Sequence, residues 1–451
     1  MANSKTSTDL TQGSVVGTLM KFAVPLALTS VLQVVYGIVD TIIAGRVLGS
    51  SALSAVTNAS FLMLVVGYFA QGVAQGGNIL ISQYFGAKDD ENRKLTSSTL
   101  YTFEMGLSII FLAIVLLLRH QLVNLLRVPA HDEAVQYVTI CSVGLIFTFG
   151  YNAVSAVLRA MGNSKQPLIF IGIATVINIV LDLWFVLEKP YGLGLGVAGT
   201  AYATVIAQFV TFAASIIYTS RHRDYYGMRF LRFRIDIEKL GRIIKLGIPS
   251  TLQYVVNGIS WMVISAFINK YGLTVSAAAG AVNKTRELLL QLVIAISNGA
   301  AIMIGQSIGA NNYDRCKKIV RSTTLISVST ALLLIVIVEF AAPYLIQVFN
   351  KEPDVIAQGT LHLRIEVLCL LFYASNMSYK SAASGAGKVL FCFIDSFVAA
   401  VITRSVLAVV LDKMIGVTGV YWACVFAMLP ATIVAFWYYK SGRWTRGKAI
   451  D

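Results

Sequence analysis

The sequence predicts an all-α integral membrane protein with twelve transmembrane helices, arranged as two parallel-repeat six-helix bundles. Three observations predict it: sparse charge, long uncharged apolar blocks and an internal repetition of short motifs. Of 451 residues, 57% are hydrophobic and 13% charged, with a mean hydropathy of +0.73. Soluble domains carry about 25% charged residues. Residues 47–87, 191–220, 288–310 and 414–439 contain no Asp, Glu, Lys or Arg at all. A helix of about 20 apolar residues crosses the hydrocarbon, and the Gly, Ala and Ser in these blocks let helices approach closely in lipid.

The apolar stretches place spans at 18–43, 52–85, 95–118, 134–158, 166–188, 195–219, 242–269, 278–308, 319–341, 357–380, 389–411 and 416–439. Short turns marked by Gly, Pro, Asn and Asp separate them, with one longer loop at 221–241. The first stretch is too long for a cleaved signal and contains Asp40, so it reads as a span. The net charge of +14 follows topology: with the N-terminus inside, twenty-five Lys and Arg fall in inner segments and seven in outer turns. That asymmetry puts both termini in the cytoplasm and explains the charge without a nucleic-acid partner. Cys141, Cys369, Cys392 and Cys424 lie in apolar spans and Cys316 in a basic loop, with no CxxC pair; they read as packing residues or free thiols. No GxxxxGK[ST] run cradles ATP. A non-enzymatic protein driven by an ion gradient, with no cofactor, is the expectation.

The chain repeats itself. Lys21-Phe22-Ala23-Val24-Pro25 returns as Lys245-Leu246-Gly247-Ile248-Pro249, and Gln83-Tyr84-Phe85-Gly86-Ala87 as Gln306-Ser307-Ile308-Gly309-Ala310. Gly162 and Lys165 return as Gly385 and Lys388, and Gly196-Val197-Ala198-Gly199 as Gly416-Val417-Thr418-Gly419. The offsets run 224, 223, 223 and 220. Six spans per copy is an even number, so both copies start on one side of the membrane. This divides the chain into an N-terminal lobe at 1–220, a cytoplasmic linker at 221–241 and a C-terminal lobe at 242–451. Paired bundles of this kind alternate the access of a central cavity, the architecture of a secondary transporter.

Ionisable residues inside a bilayer cost roughly 2.5–3.5 kcal/mol on insertion scales, so each is a functional candidate. Gln33, Tyr36 and Asp40 share one face of the first span, and Asn178 and Asp182 share one face of the fifth. Thr200 and Asn152 add oxygens. Two carboxylates, two amides and a hydroxyl suit a hard monovalent cation, and two neighbouring carboxylates in low dielectric suit proton exchange equally well. The repeat maps Asp40 to Ile264, Asn178 to Val401 and Asp182 to Ser405, so these acids exist in one copy and the coupling ion is expected there. Tyr36 and Tyr151 are expected to line the cavity. Pro25 frees a backbone carbonyl and is a candidate hinge, with a static kink as the alternative. In the second half, Glu287 reads as a partner of Lys284 or as a substrate residue. Asp395 or Glu366 reads as a partner of Arg404, and Glu104 and Glu339 stand isolated.

The opening KFAVPLALTSVLQVVYGIVDTIIAG, with QYFGAKD after the second span, VLRAMGNSKQPL after the fourth, INIVLDLWFV and GVAGTAYAT, resembles the multidrug and toxic compound extrusion (MATE) transporters along nearly the whole chain. The resemblance implies V-shaped lobes and proton- or sodium-driven antiport exporting amphipathic, often cationic compounds from the cell across its inner or plasma membrane. Asp40, Asn178, Asp182 and Thr200 match the N-lobe cation site of the DinF-like branch, and Gln33, Tyr36 and Asn152 match positions lining its drug cavity. The NorM-like branch instead carries a Glu in its seventh span and an Asp in its tenth. Here the seventh has no acid and the tenth has Glu366 near its start, which argues against a C-lobe cation site. A monomer surrounded by lipid is the expected state. The wider superfamily includes flippases for lipid-linked precursors, which is the alternative function; a receptor or channel is a further rival.

Overall fold

The computed structural model describes residues 8–450 apart from 129, 189, 229, 231 and 232. Lys5, Lys189, Arg229 and Arg232 of the charge count lie outside the described residues. Among the described residues, twelve helices are long and apolar enough to cross a membrane: α1 (Val15–Leu48), α2 (Ser51–Gly86), α3 (Asp90–Leu125), α4 (His131–Ala160), α5 (Lys165–Val186), α6 (Val197–Arg221), α7 (Ile237–Asn269), α8 (Leu273–Gly309), α9 (Tyr313–Gln347), α10 (Pro353–Gly385), α11 (Val389–Ile415) and α12 (Val417–Lys440). The described residues form no strand. Helices satisfy their own backbone groups, which an open sheet in lipid cannot do. The 221–241 loop is shorter than its sequence suggests, because Arg223–Tyr226 forms a helical turn and α7 begins at Ile237. Cys316 sits on the first turn of α9 rather than in a loop, buried, with Sγ 3.3 Å from the Asn312 carbonyl.

The repeated motifs mark repeated helix boundaries. Lys88 and Asn311 both take a left-handed φ of 58° after a long helix. Each is followed by an Asx N-cap: Asp89 accepts from Asn92 N at 3.1 Å, and Asn312 from Arg315 N at 3.0 Å. Such caps satisfy orphan amides at a helix start. Gly196 and Gly416 precede α6 and α12 with φ of 59° and 65°, a region that excludes side chains. Three residues on, Gly199 lies against the Phe185 carbonyl and Gly419 against that of Leu411, so the motif also closes the helix crossing. One register shifts. Gly162, at φ 80°, has its conformational counterpart in Gly387, at φ 78°, not in Gly385. Gly385 instead packs against the Ala301 carbonyl.

The chain forms two compact units: unit 1 takes Leu28–Phe85 and Asp89–Thr251, and unit 2 takes Asp9–Ala27, Gly86–Lys88 and Leu252–Asp451. These units do not follow the 221–241 boundary throughout. The start of α1 belongs to unit 2, where Leu19, Phe22 and Ala23 pack in one cluster with Ala295, Met303 and Cys316. Arg315 also holds the preceding carbonyls of Leu10, Gln12 and Gly13 there. The start of α7 belongs to unit 1. Gly72 and Gly76 of α2 bring its backbone close at Thr251 and Gly247, and Lys239 Nζ donates to Tyr84 OH at 3.0 Å. Small residues allow this backbone approach.

Candidate functional site

The site in unit 1 begins with the two faces of α5. Ile169, Ile173, Val176, Val180 and Leu183 are exposed, a stripe suited to lipid tails. Thr175, Asn178, Asp182 and Val186 are buried on the opposite face. Helical periodicity thus turns the polar residues of an apolar segment inward, where lipid does not reach them.

Asp182 and Asn178 are 0% exposed, and Asp40 on α1 is 7% exposed. Neither oxygen of Asp182, neither polar atom of Asn178, nor Oδ1 of Asp40 has a hydrogen-bond partner among the described residues. Asp40 and Asp182 lie within electrostatic range of each other, and no cation acts on either. Tyr36, one turn before Asp40, feels both carboxylates and donates through its hydroxyl to Thr204 Oγ1 at 3.1 Å. Cys141 of α4 completes the group within range of both acids. Thr200 is buried on the first turn of α6, and its hydroxyl donates to the Val197 carbonyl at 2.9 Å. It neighbours Gly199, where α6 meets α5 one turn from Asp182. Buried, unpaired carboxylates are costly in a low dielectric. Two side by side without a protein cation favour the uptake of one positive charge, a proton or a small metal ion.

Beside this group a cavity of about 200 Å³ opens within unit 1, with Gln33, Tyr36, Tyr151 and Asn152 in its wall. Gln71, Phe147, Thr175 and Gln208 also line it. Asn152 is held by the Thr148 carbonyl at 2.9 Å, whereas Gln208 Oε1 is buried without a partner among the described residues. The wall therefore combines aromatic surface with amide and hydroxyl groups, the make-up of a small-molecule pocket. Tyr36 belongs to both cavity and carboxylate group. Gln71, Thr204 and Gln208 are neutral, so ionisable groups in the spans do not point to them, and Cys141 reads from the sequence only as a packing residue or free thiol. The i, i+4 spacing of Thr204 and Gln208 inside an apolar span was the available signal.

Two expected site residues stand apart. Glu287 is exposed on α8 in unit 2 and is not in the wall of this cavity. Pro25 is buried in α1, in the stretch assigned to unit 2. The pairings expected in the second half also differ. Glu366 binds Arg286 Nη1 at 2.7 Å and His362 Nε2 at 3.1 Å, and Asp395 binds Lys380 Nζ at 3.3 Å. Neither acid pairs with Arg404, which donates to Ser260 Oγ at 3.1 Å and lies 4.4 Å from the Trp261 ring centroid. The reason is reach: α10 carries Lys380 and His362 close to acids that sequence separation alone assigns to Arg404. Glu339 is held by Arg364 at 3.4 Å, while Glu104 is buried on α3 without an ion pair among the described residues.

The MatE family profile matches residues 25–184 and 249–410. The probable multidrug resistance protein YpnP of Bacillus subtilis is 31% identical over 97% of both chains. The multidrug export protein MepA of Staphylococcus haemolyticus is 24% identical over 96% of this chain and 95% of its own. Among solved structures, a multidrug resistance MATE family transporter of the MOP superfamily in an outward-facing conformation gives a TM-score of 0.91 at 20% identity, over 98% of both chains. A MOP superfamily transporter from Pyrococcus furiosus gives 0.91 at 21% identity, again over 98% of both. At such identities the structures speak for the fold alone.

Proposed function

The chain belongs to the MatE family of multi-pass membrane transporters, and from that premise we propose that it is a secondary antiporter exporting amphipathic or cationic organic compounds across the cytoplasmic membrane. Influx of a proton or sodium ion drives it, and the coupling ion is a transported species taken up at Asp40 and Asp182, with Asn178 and Thr200 as further oxygen donors. The observation that carries the reading is the pair of buried, unpartnered carboxylates beside a cavity whose wall shares Tyr36 with them. Occupancy by a cation relieves their repulsion, and Tyr36 reports that change to the cavity wall. An export cycle needs such differential coupling between two ligands. The acid pattern supports placement in the DinF-like branch, and the names of the curated relatives support multidrug efflux.

The test uses purified protein in proteoliposomes with ethidium as the transported probe, under a pH gradient at equal sodium and then a sodium gradient at clamped pH. One gradient should drive accumulation in the wild type. Asp40→Asn and Asp182→Asn should each reduce it at least about tenfold, the scale of a buried charge interaction, with melting behaviour kept. Wild-type rates in both variants would overturn the site. Accumulation under neither gradient, together with lipid scrambling, would favour the flippase alternative.

A further inference from the structure

Unit 2 carries buried charge of the opposite sign close to the corresponding register. At the offset of 224 that relates Lys21 to Lys245, Tyr36 corresponds to Ser260 and Gly37 to Trp261. At the offset of 223 Asp182 corresponds to Ser405, the residue after Arg404. Asp40 itself corresponds to Ile264, so both carboxylate positions are uncharged in unit 2, and Ser260, Trp261 and Arg404 stand beside them on α7 and α11.

Arg404 is 4% exposed, and its Nε has no hydrogen-bond partner among the described residues. Its Nη1 donates to Ser260 Oγ, and Ser260 in turn donates to the Ala400 carbonyl at 2.5 Å. That carbonyl belongs to a widened π turn, Val398–Thr403, which delivers Arg404 at its end; such turns recur at functional sites. The Arg286 guanidinium lies 3.5 Å from the centroid of the same Trp261 ring. Two arginines thus share one indole, and Glu366 is the acid beside them, already bound to Arg286 and His362. Asp395 is taken by Lys380 and Asn376. Among the described residues no carboxylate forms an ion pair with Arg404, so the cluster keeps an excess positive charge in the apolar interior. The ring face and one hydroxyl offset part of that charge, and an anion completes it. Arg286, with its side chain 13% exposed, and the half-buried Trp261 leave a side of the cluster open.

We propose that unit 2 holds a binding site for the oxyanion, carboxylate or phosphate, of an amphipathic ligand, with Arg404 as the principal donor and Arg286 and Trp261 as its walls. The site extends the ligand range to anionic and zwitterionic amphiphiles and stands independently of the carboxylates of unit 1.

The test is equilibrium binding to the full chain in phosphatidylcholine nanodiscs, comparing N-dansylglycine with the neutral dansylamide. Wild type should prefer the acid by about tenfold, the scale of a hydrogen-bonded charge. Arg404→Gln should bring the ratio near one, and Arg404→Lys should keep part of it. Lys413→Gln, at an exposed cation outside both sites, should leave it unchanged, which separates the cluster from a general effect of surface charge. Equal wild-type binding of acid and amide overturns the proposal even if Arg404→Gln fails to fold, as does a retained preference in a folded Arg404→Gln protein. Adding phosphatidylglycerol distinguishes the source: displacement of dansylglycine in the wild type points to a lipid headgroup, and lack of displacement to a free organic anion.

Discussion

The hydroxyl of Tyr36 donates to Thr204 at 3.1 Å, tying α1 to α6 beside the carboxylates of Asp40 and Asp182. Because Tyr36 also lines the cavity, this bond joins the carboxylate group to the cavity wall. Tyr36→Phe removes it and keeps the ring. The expected outcome is a folded protein, destabilised by about 1 kcal/mol, that still binds ethidium but transports it more slowly, with a smaller loss than Asp40→Asn. Unchanged transport in proteoliposomes would remove Tyr36 from the coupling route.

Pro25 and Pro249 each stand two residues before their helix passes from one compact unit to the other, at 27–28 and 251–252. A proline inside a helix removes an amide donor and costs roughly 3 kcal/mol, softening the helix at that place. Pro25→Ala and Pro249→Ala should each raise the melting temperature and slow efflux by about threefold to tenfold, as hinge variants do. A stabilised protein with wild-type efflux would mean a static kink at either site.

Lys380 and Asp395 are almost wholly buried together, and Lys380 also donates to Ser396 at 2.6 Å. Lys380→Met should destabilise the protein by about 3–5 kcal/mol, because it leaves Asp395 as an unpaired buried charge. The double variant Lys380→Met/Asp395→Leu should recover most of that loss. Thermal melts of the four proteins in one detergent give the coupling, and additive losses would show that the pair is not a unit.

Gly199 and Gly419 are predicted to tolerate alanine unequally. A Cβ on Gly199 falls 3.0 Å from the Phe185 carbonyl, whereas on Gly419 it runs into the Leu411 carbonyl and the backbone behind it. Gly419→Ala should therefore cost about 1–3 kcal/mol as an overpacked contact, and Gly199→Ala less. Comparing melting temperatures decides it; equal shifts would mean that both crossings yield alike.

The candidate site was partly legible because burial in lipid leaves a strong mark. A carboxylate in an apolar span has few innocent explanations, so Asp40 and Asp182 stood out, and helical spacing joined Gln33 and Tyr36 to one and Asn178 to the other. The neutral polar residues Gln71, Thr204 and Gln208 gave no comparable signal, since an amide or hydroxyl in a span is cheap enough to be ordinary. Glu287 shows a related gap: next to Lys284 and Arg286 it reads as buried charge, yet its side of α8 is exposed.

The sequence by itself determined the class, the number of spans and the duplication, because each rests on one-dimensional regularities: apolar length matched to bilayer thickness, and motifs returning at nearly constant offset. It also determined where helices begin, since left-handed and capping positions are encoded by neighbouring residues. The tertiary structure alone decided which acids meet which bases. Arg286 reaches Glu366 across 80 residues, and Arg404 settles on Ser260 and Trp261, 144 and 143 positions away. Pairing depends on the rotation and depth of packed helices, set by close contacts such as Gly72 with Thr251 and Gly385 with Ala301, and neither hydropathy nor spacing within one helix carries that information.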